Sequence, residues 1–141
     1  MEFDPAAFIA DPELVAALAE RSTPIPCEPD RVLFQQGDPA VGLFIVRAGM
    51  ATLTMTSITG EPVLCLRAGA GSLLGLPGVI GGQPYSLTAV AHLGAEVLFL
   101  DKEDFTVLMV ANPHLSLKVL QVLAAEVRTA RQALYPILSG D

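Results

Sequence analysis

Charge is what this chain has little of, and between Arg67 and Glu96 it runs out. From Ala68 to Ala95 there is no Asp, Glu, Lys or Arg, yet seven of the 12 glycines fall there; Gly69 to Gly94 reads GAGSLLGLPGVIGGQPYSLTAVAHLG. Glycines that close together permit left-handed turns and a near approach of backbone to a ligand, while the missing charge speaks against a ligand held by an ion pair. Positive charge is scarce throughout, with 8 Lys and Arg against 15 Asp and Glu, a net charge of −7 and a pI near 4.6. The basic residues are scattered, so phosphate backbones and anionic lipid are repelled and neither direct nucleic-acid nor membrane binding is expected.

Cysteine and histidine are equally thin. Cys27 and Cys65 are the 2 cysteines and form no CxxC pair, which excludes a zinc knuckle or an iron–sulfur cluster and leaves two reduced core thiols. The 2 histidines, His92 and His114, do not make the His and carboxylate cluster a cupin-type metal centre needs. No metal and no cofactor is implied. Ser86 lacks a GxSxG elbow and a neighbouring base, so a nucleophilic serine, and with it an enzyme, is not expected. The N-terminal MEFDPAAFIADP has acids where a signal peptide needs bases, and Gly and Pro break every apolar run below spanning length, so a soluble cytoplasmic protein is expected.

What is present fits one domain over 1–141, since 141 residues with 52% hydrophobic side chains bury one core but not two. Its parts are an N-terminal helical segment (1–22), a β region (23–100) and C-terminal helices (101–135). Asp11-Pro12 opens a helix carrying Leu14, Val15 and Leu18. Pro24 and Pro26 restrict 23–27 to an edge strand before the turn Glu28-Pro29-Asp30. Strands are expected at Arg31–Phe34, Leu43–Ala48, Ala51–Thr56, Pro62–Arg67, Ser72–Leu74, Ser86–Ala91 and Ala95–Leu100. Their short spacing and glycine turns point to an antiparallel, jelly-roll-like β-roll with flanking helices rather than βαβ units. Asp101 then caps a helix, and Asn112-Pro113 ends it and starts the next. In the last helix Leu120, Leu123, Val127, Ala130 and Leu134 form an a/d seam flanked by Glu126, Arg128 and Arg131, and Pro136 is expected to end it. A second row, Leu115, Val119 and Val122, can cover the roll, which leaves the seam for a second copy and predicts a homodimer.

Gly37–Gly49 reads GDPAVGLFIVRAG, Gly71–Gly75 reads GSLLG, and a Gly- and Pro-rich excursion then leads into PYSLTAVA. This ordered set, with its flanking helices over about residues 12–135, resembles the cyclic nucleotide-binding domain of the catabolite activator protein (Crp/Fnr) superfamily. The resemblance implies that the excursion is a phosphate-binding cassette with a short helix, a Glu after Gly75 for the ribose, and an Arg-Ser or Arg-Thr pair for the phosphate. Here Leu76 stands for the Glu and Tyr85 for the Arg; only Ser86 matches, and the loop is one residue shorter. The hydroxyl pair that meets the base in the best-known bacterial member falls at Ala130 and Arg131. Loss of an Arg paired to a buried phosphate costs about 2–5 kcal/mol, so cyclic AMP or cyclic GMP is expected to bind weakly at best.

The ligand expected in its place is a neutral small molecule at Gly75, Leu76, Val79, Ile80 and Leu87, oriented by the hydroxyls of Tyr85, Ser86 and Thr88. The alternative is that these side chains fill the cavity and the domain only dimerises. The resemblance further implies a regulatory sensor in signal transduction, in which ligand binding shifts the last two helices. Members commonly add a helix-turn-helix; the residues here supply none, so no direct DNA contact is expected, while a protein partner remains open.

Overall fold

The structure, a computed structural model, describes residues 8–27 and 29–139, and the side chains of these except 130 and 133–139. The chain enters helix α1 (Pro12–Ala19) where Asp11 accepts a hydrogen bond from the Glu13 N–H at 2.8 Å, with Pro12 opening the first turn. Four residues apart, Leu14 and Leu18 are fully buried, so the helix lays one apolar stripe on the body behind it. Among the described residues, strand β1 (Thr23–Ile25) pairs only with β8 (Glu96–Asp101). Pro24 brings no N–H to a ladder, and at the edge none is needed.

Between these lie β2 (Arg31–Phe34), β3 (Gly42–Ala48), β4 (Ala51–Thr56), β5 (Pro62–Ala68), β6 (Leu73–Leu74), helix α2 (Leu76–Gly81) and β7 (Thr88–Ala91). All pairing is antiparallel, in two four-stranded sheets of order β1-β8-β3-β6 and β2-β7-β4-β5. The roll expected from the sequence is thus two facing sheets, each with its own ladder among the described residues. The strand expected from Ser86 begins at Thr88, because Tyr85 to Leu87 are drawn out of the ladder.

β3 explains its own unbroken apolar run. Phe44 and Val46 face the interior between the sheets, while Leu43 and Ile45 face the helices, so the strand is buried on both sides. In β8, Val97 faces one core and Leu98 and Leu100 the other. Asp101 accepts from the Glu103 N–H at 2.8 Å and starts α3 (Lys102–Ala111), which stops at Asn112, whose side-chain amide donates to Leu108 O. Pro113 opens α4 (Pro113–Ser139).

Leu115, Val119 and Val122 of α4 are buried against Leu43, Ile45 and Leu98, each stabilising the fold by roughly 1.5–3 kcal/mol. Lys118 Nζ reaches Asp11 Oδ2 at 2.9 Å and ties α4 to the cap of α1, which holds the Asp11 carboxyl below its usual range. α4 runs on through Pro136, where the sequence put its end. A proline removes one N–H bond and crowds one carbonyl, which bends a helix before it breaks one.

Candidate functional site

The chain turns into α2 at Gly75, whose φ of 97° lies in the left-handed region; a Cβ there would come within 2.9 Å of the Tyr85 ring. Glycine is required on both counts, and it lets α2 sit close over Tyr85. The Tyr85 hydroxyl donates to Gly42 O at 2.7 Å and accepts from the Val41 and Gly42 N–H groups, both at 3.2 Å. Its ring stacks on Phe34 with centroids 4.0 Å apart, and its backbone bonds Gly37 and Asp38. Buried, with its one donor and two acceptor positions engaged, this phenol staples the segment before β7 to the start of β3.

Beside that staple are two adjoining chambers that share Phe8, Pro77, Ser86, Leu87 and Glu126 in their walls. The inner one, about 20 Å³ against Phe34, Leu53, Gly75 and Tyr85, has room for about one water. The outer one, about 140 Å³, is bounded by Met55, Leu64, Leu66 and Val127. Pockets for drug-sized ligands run to roughly 300 Å³ or more, and each of these two chambers is smaller.

Among the described residues, Glu126 is the only charged one lining either chamber. Its Oε2 is covered and has no hydrogen-bond partner among the described residues, and burial alone pushes the carboxyl up to about 8. Sequence reasoning set Glu126 beside the seam. The signal for its true place was its spacing: it lies four residues after Val122 and seven after Val119, in the row that faces the body.

The eight residues expected to bind a ligand divide. Gly75, Tyr85, Ser86 and Leu87 line the inner chamber, with Ser86 exposed at its mouth. Leu76, fully buried, and Val79 pack into the helix-side core, and Ile80 stays 47% exposed. The spacing of 76, 79 and 80 puts them on one face of α2, turned toward α3 and α4, where Val79 and Ile80 line an apolar groove with Phe105 and Met109. Pro77 and Gly78 take the cavity side instead. Thr88 Oγ1 is engaged by the Gln36 N–H at 2.9 Å.

Of the seam residues, Leu120 and Val127 are exposed and Leu123 is half-buried on the core; the side chains of Ala130 and Leu134 lie outside the described residues. His92 Nε2 is 2.6 Å from Thr52 Oγ1, a satisfied pair. Among the described residues no three His, Cys, Asp or Glu side chains come together as metal ligands, and no helix is long and apolar enough to cross a membrane.

The family model of the cyclic nucleotide-binding domain matches residues 24–112. The chain is 30% identical over 98 residues to the cyclic AMP receptor protein of Thermus thermophilus, covering 70% of this chain and 45% of that protein. It is 21% identical over 131 residues to a CRP-like cAMP-activated global transcriptional regulator of Mycobacterium tuberculosis, covering 93% and 58%. The chain therefore spans about half the length of the curated relatives it matches. Among solved structures, the Thermus thermophilus catabolite activator protein superposes with a TM-score of 0.74 at 27% identity, covering 96% of this chain and 63% of that one. A cyclic nucleotide-binding domain from Methylobacillus flagellatus gives 0.71 at 25%, covering 92% and 73%. With the matched segment running from β1 through α3, the chain belongs to the cyclic nucleotide-binding domain family, resembles its Crp/Fnr regulators, and has a non-catalytic role.

Proposed function

We propose that this chain is a regulatory sensor module whose ligand is a small molecule other than a cyclic nucleotide. The observation that carries this reading is the Tyr85 staple. Where the family resemblance calls for a phosphate-binding Arg, a buried phenol has all its hydrogen bonds inside the protein. Leu76, in place of the ribose-binding Glu, is buried in the opposite core. An anionic phosphate brought into the chambers would meet no cation among the described lining residues.

Signal transmission rests on α4, which supplies Glu126 and Val127 to the outer chamber and carries the exposed Leu120. A ligand that favours one position of this helix over another shifts the surface available to a second copy through Leu120, Leu123, Val127, Ala130 and Leu134; one that binds both positions equally shifts nothing. We read the facing sheets as one jelly-roll-like domain over 1–141, acting in the cytoplasm, where the free thiols of Cys27 and Cys65 suit a reducing compartment. A second reading, a dimerisation module with no ligand, draws support from the inner chamber's water-sized volume.

Calorimetric titration with cyclic AMP and cyclic GMP tests the first reading: no saturable heat in the submillimolar range is expected, and submillimolar binding of either would overturn it. A thermal shift with any small molecule from a metabolite set counts against the second reading.

A further inference from the structure

Glu126 stands in the wall common to both chambers, and its covered Oε2 has no hydrogen-bond donor among the described residues. A buried acceptor left unpaired is costly, and an ionised carboxylate far more so. Yet this one borders a chamber whose rim includes exposed Ser86 and Val127, so a donor from solution has a way in. The remaining walls are mostly apolar: Phe8, Leu66, Pro77 and Leu87 surround the space beside the carboxyl.

Few other charges bear on the group. Among the described lining residues the ionisable side chains are Glu126 and Tyr85, and the Tyr85 hydroxyl is engaged with Gly42 and Val41. The sheet residues facing the chambers, all apolar, are Phe34 of β2, Leu53 and Met55 of β4, Leu64 and Leu66 of β5, and Leu74 of β6. Cys65 and Arg67 alternate to the other face of β5, and Arg128 on α4 is exposed. A chamber of about 140 Å³ matches in size the cavities of roughly 150 Å³ that take one benzene ring.

Resting on the reading that this site is not adapted to cyclic nucleotides, we propose that it binds a small primary ammonium compound with an apolar body about the size of a six-membered ring. The ammonium pairs with Glu126 and the body fills the outer chamber. This departs from the uncharged ligand expected from the sequence, because the charge comes from α4 and not from the glycine-rich loop. Burial pushes the empty site's carboxyl up to about 8, so it is largely protonated at pH 7. Facing an ammonium it ionises and gives its proton to the buffer, so binding releases up to one proton and strengthens from about pH 6 to pH 8.

The test is calorimetric titration of the full chain with benzylamine, with its uncharged counterpart benzyl alcohol, and with cyclic AMP, on the wild type and on Glu126→Gln. Benzylamine should bind the wild type about tenfold or more tightly than benzyl alcohol does, and lose about tenfold or more in the variant. At pH 7 its heat should change with the ionisation enthalpy of the buffer, a readout on the wild type alone. Equal benzylamine affinity in wild type and variant, absence of benzylamine binding, or a buffer-independent heat would each overturn the proposal. Cyclic AMP separates the two levels: its submillimolar binding defeats the underlying reading as well, whereas silence from both cyclic AMP and benzylamine defeats the ammonium site alone.

Discussion

Two stretches of one helical row behave in opposite ways. Leu115, Val119 and Val122 of α4 close against Leu43, Ile45 and Leu98, with Val119 also edging the apolar groove beside α2 and α3, whereas one turn later the same face delivers Glu126 to a cavity and leaves its Oε2 without a partner among the described residues. The earlier stretch follows the rule for a stable core, in which apolar side chains are buried among apolar side chains. The later stretch breaks that rule at the chambers proposed above as the ligand site, and such local cost is most often retained for function. In the proposed reading, the difference makes α4 a support over its first turns and a sensing element over the next.

Core packing on the support side gives the largest expected effect. Leu43→Ala, at a fully buried position of β3, should lower stability by about 2–5 kcal/mol in urea unfolding, since the surrounding helices cannot collapse onto the void. A loss under 1 kcal/mol would mean the helix-side core is loosely packed and the contrast is false.

Glu126→Gln probes the sensing side and should act with the opposite sign. With a folded-state pKa near 8 against an ordinary value of 4.5, the folded protein holds a proton that the unfolded chain has released. The wild type therefore has this contribution in full below about pH 4.5 and loses it as pH rises through 8, at about 1.4 kcal/mol per pH unit at most. The variant lacks that slope and should be more stable than the wild type by about 2–4 kcal/mol at pH 8, with the gap closing toward pH 4.5. A gap independent of pH would mean that Glu126 swings into solvent. The smallest effect is expected at Leu87→Ala, half-buried on a chamber that is already open, where about 1 kcal/mol or less is lost in the same urea assay. A loss as large as that of Leu43→Ala would equate the two regions.

Much of the fold was legible because turns and prolines punctuate it. Pro24 and Pro26 restricted 23–27 to an edge, and β1 lies at one; the apolar row from Leu115 to Val122 covers the body as its spacing required. The site was less legible, for physical reasons particular to each residue. α2 is six residues long and holds two glycines, too short for periodicity to assert itself, and the structure puts Leu76, Val79 and Ile80 on the helix face turned away from the chambers. The role of Tyr85 depends on Gly42 and Phe34, distant in sequence, and no local pattern announces three hydrogen bonds to one phenol. Glu126 was readable from its place in the row, but a charged residue beside an exposed seam resembles ordinary surface, and only the structure reveals what covers it.

The most direct measurement is the titration of the Glu126 side-chain carboxyl carbon by NMR in the ligand-free protein, assigned by comparison with Glu126→Gln. A carboxyl walled into these chambers with no partner among the described residues should titrate near 8, far above the ordinary 4.5. Titration at or below the ordinary glutamate value would mean that the group is solvated or already paired, and would contradict the account of this site.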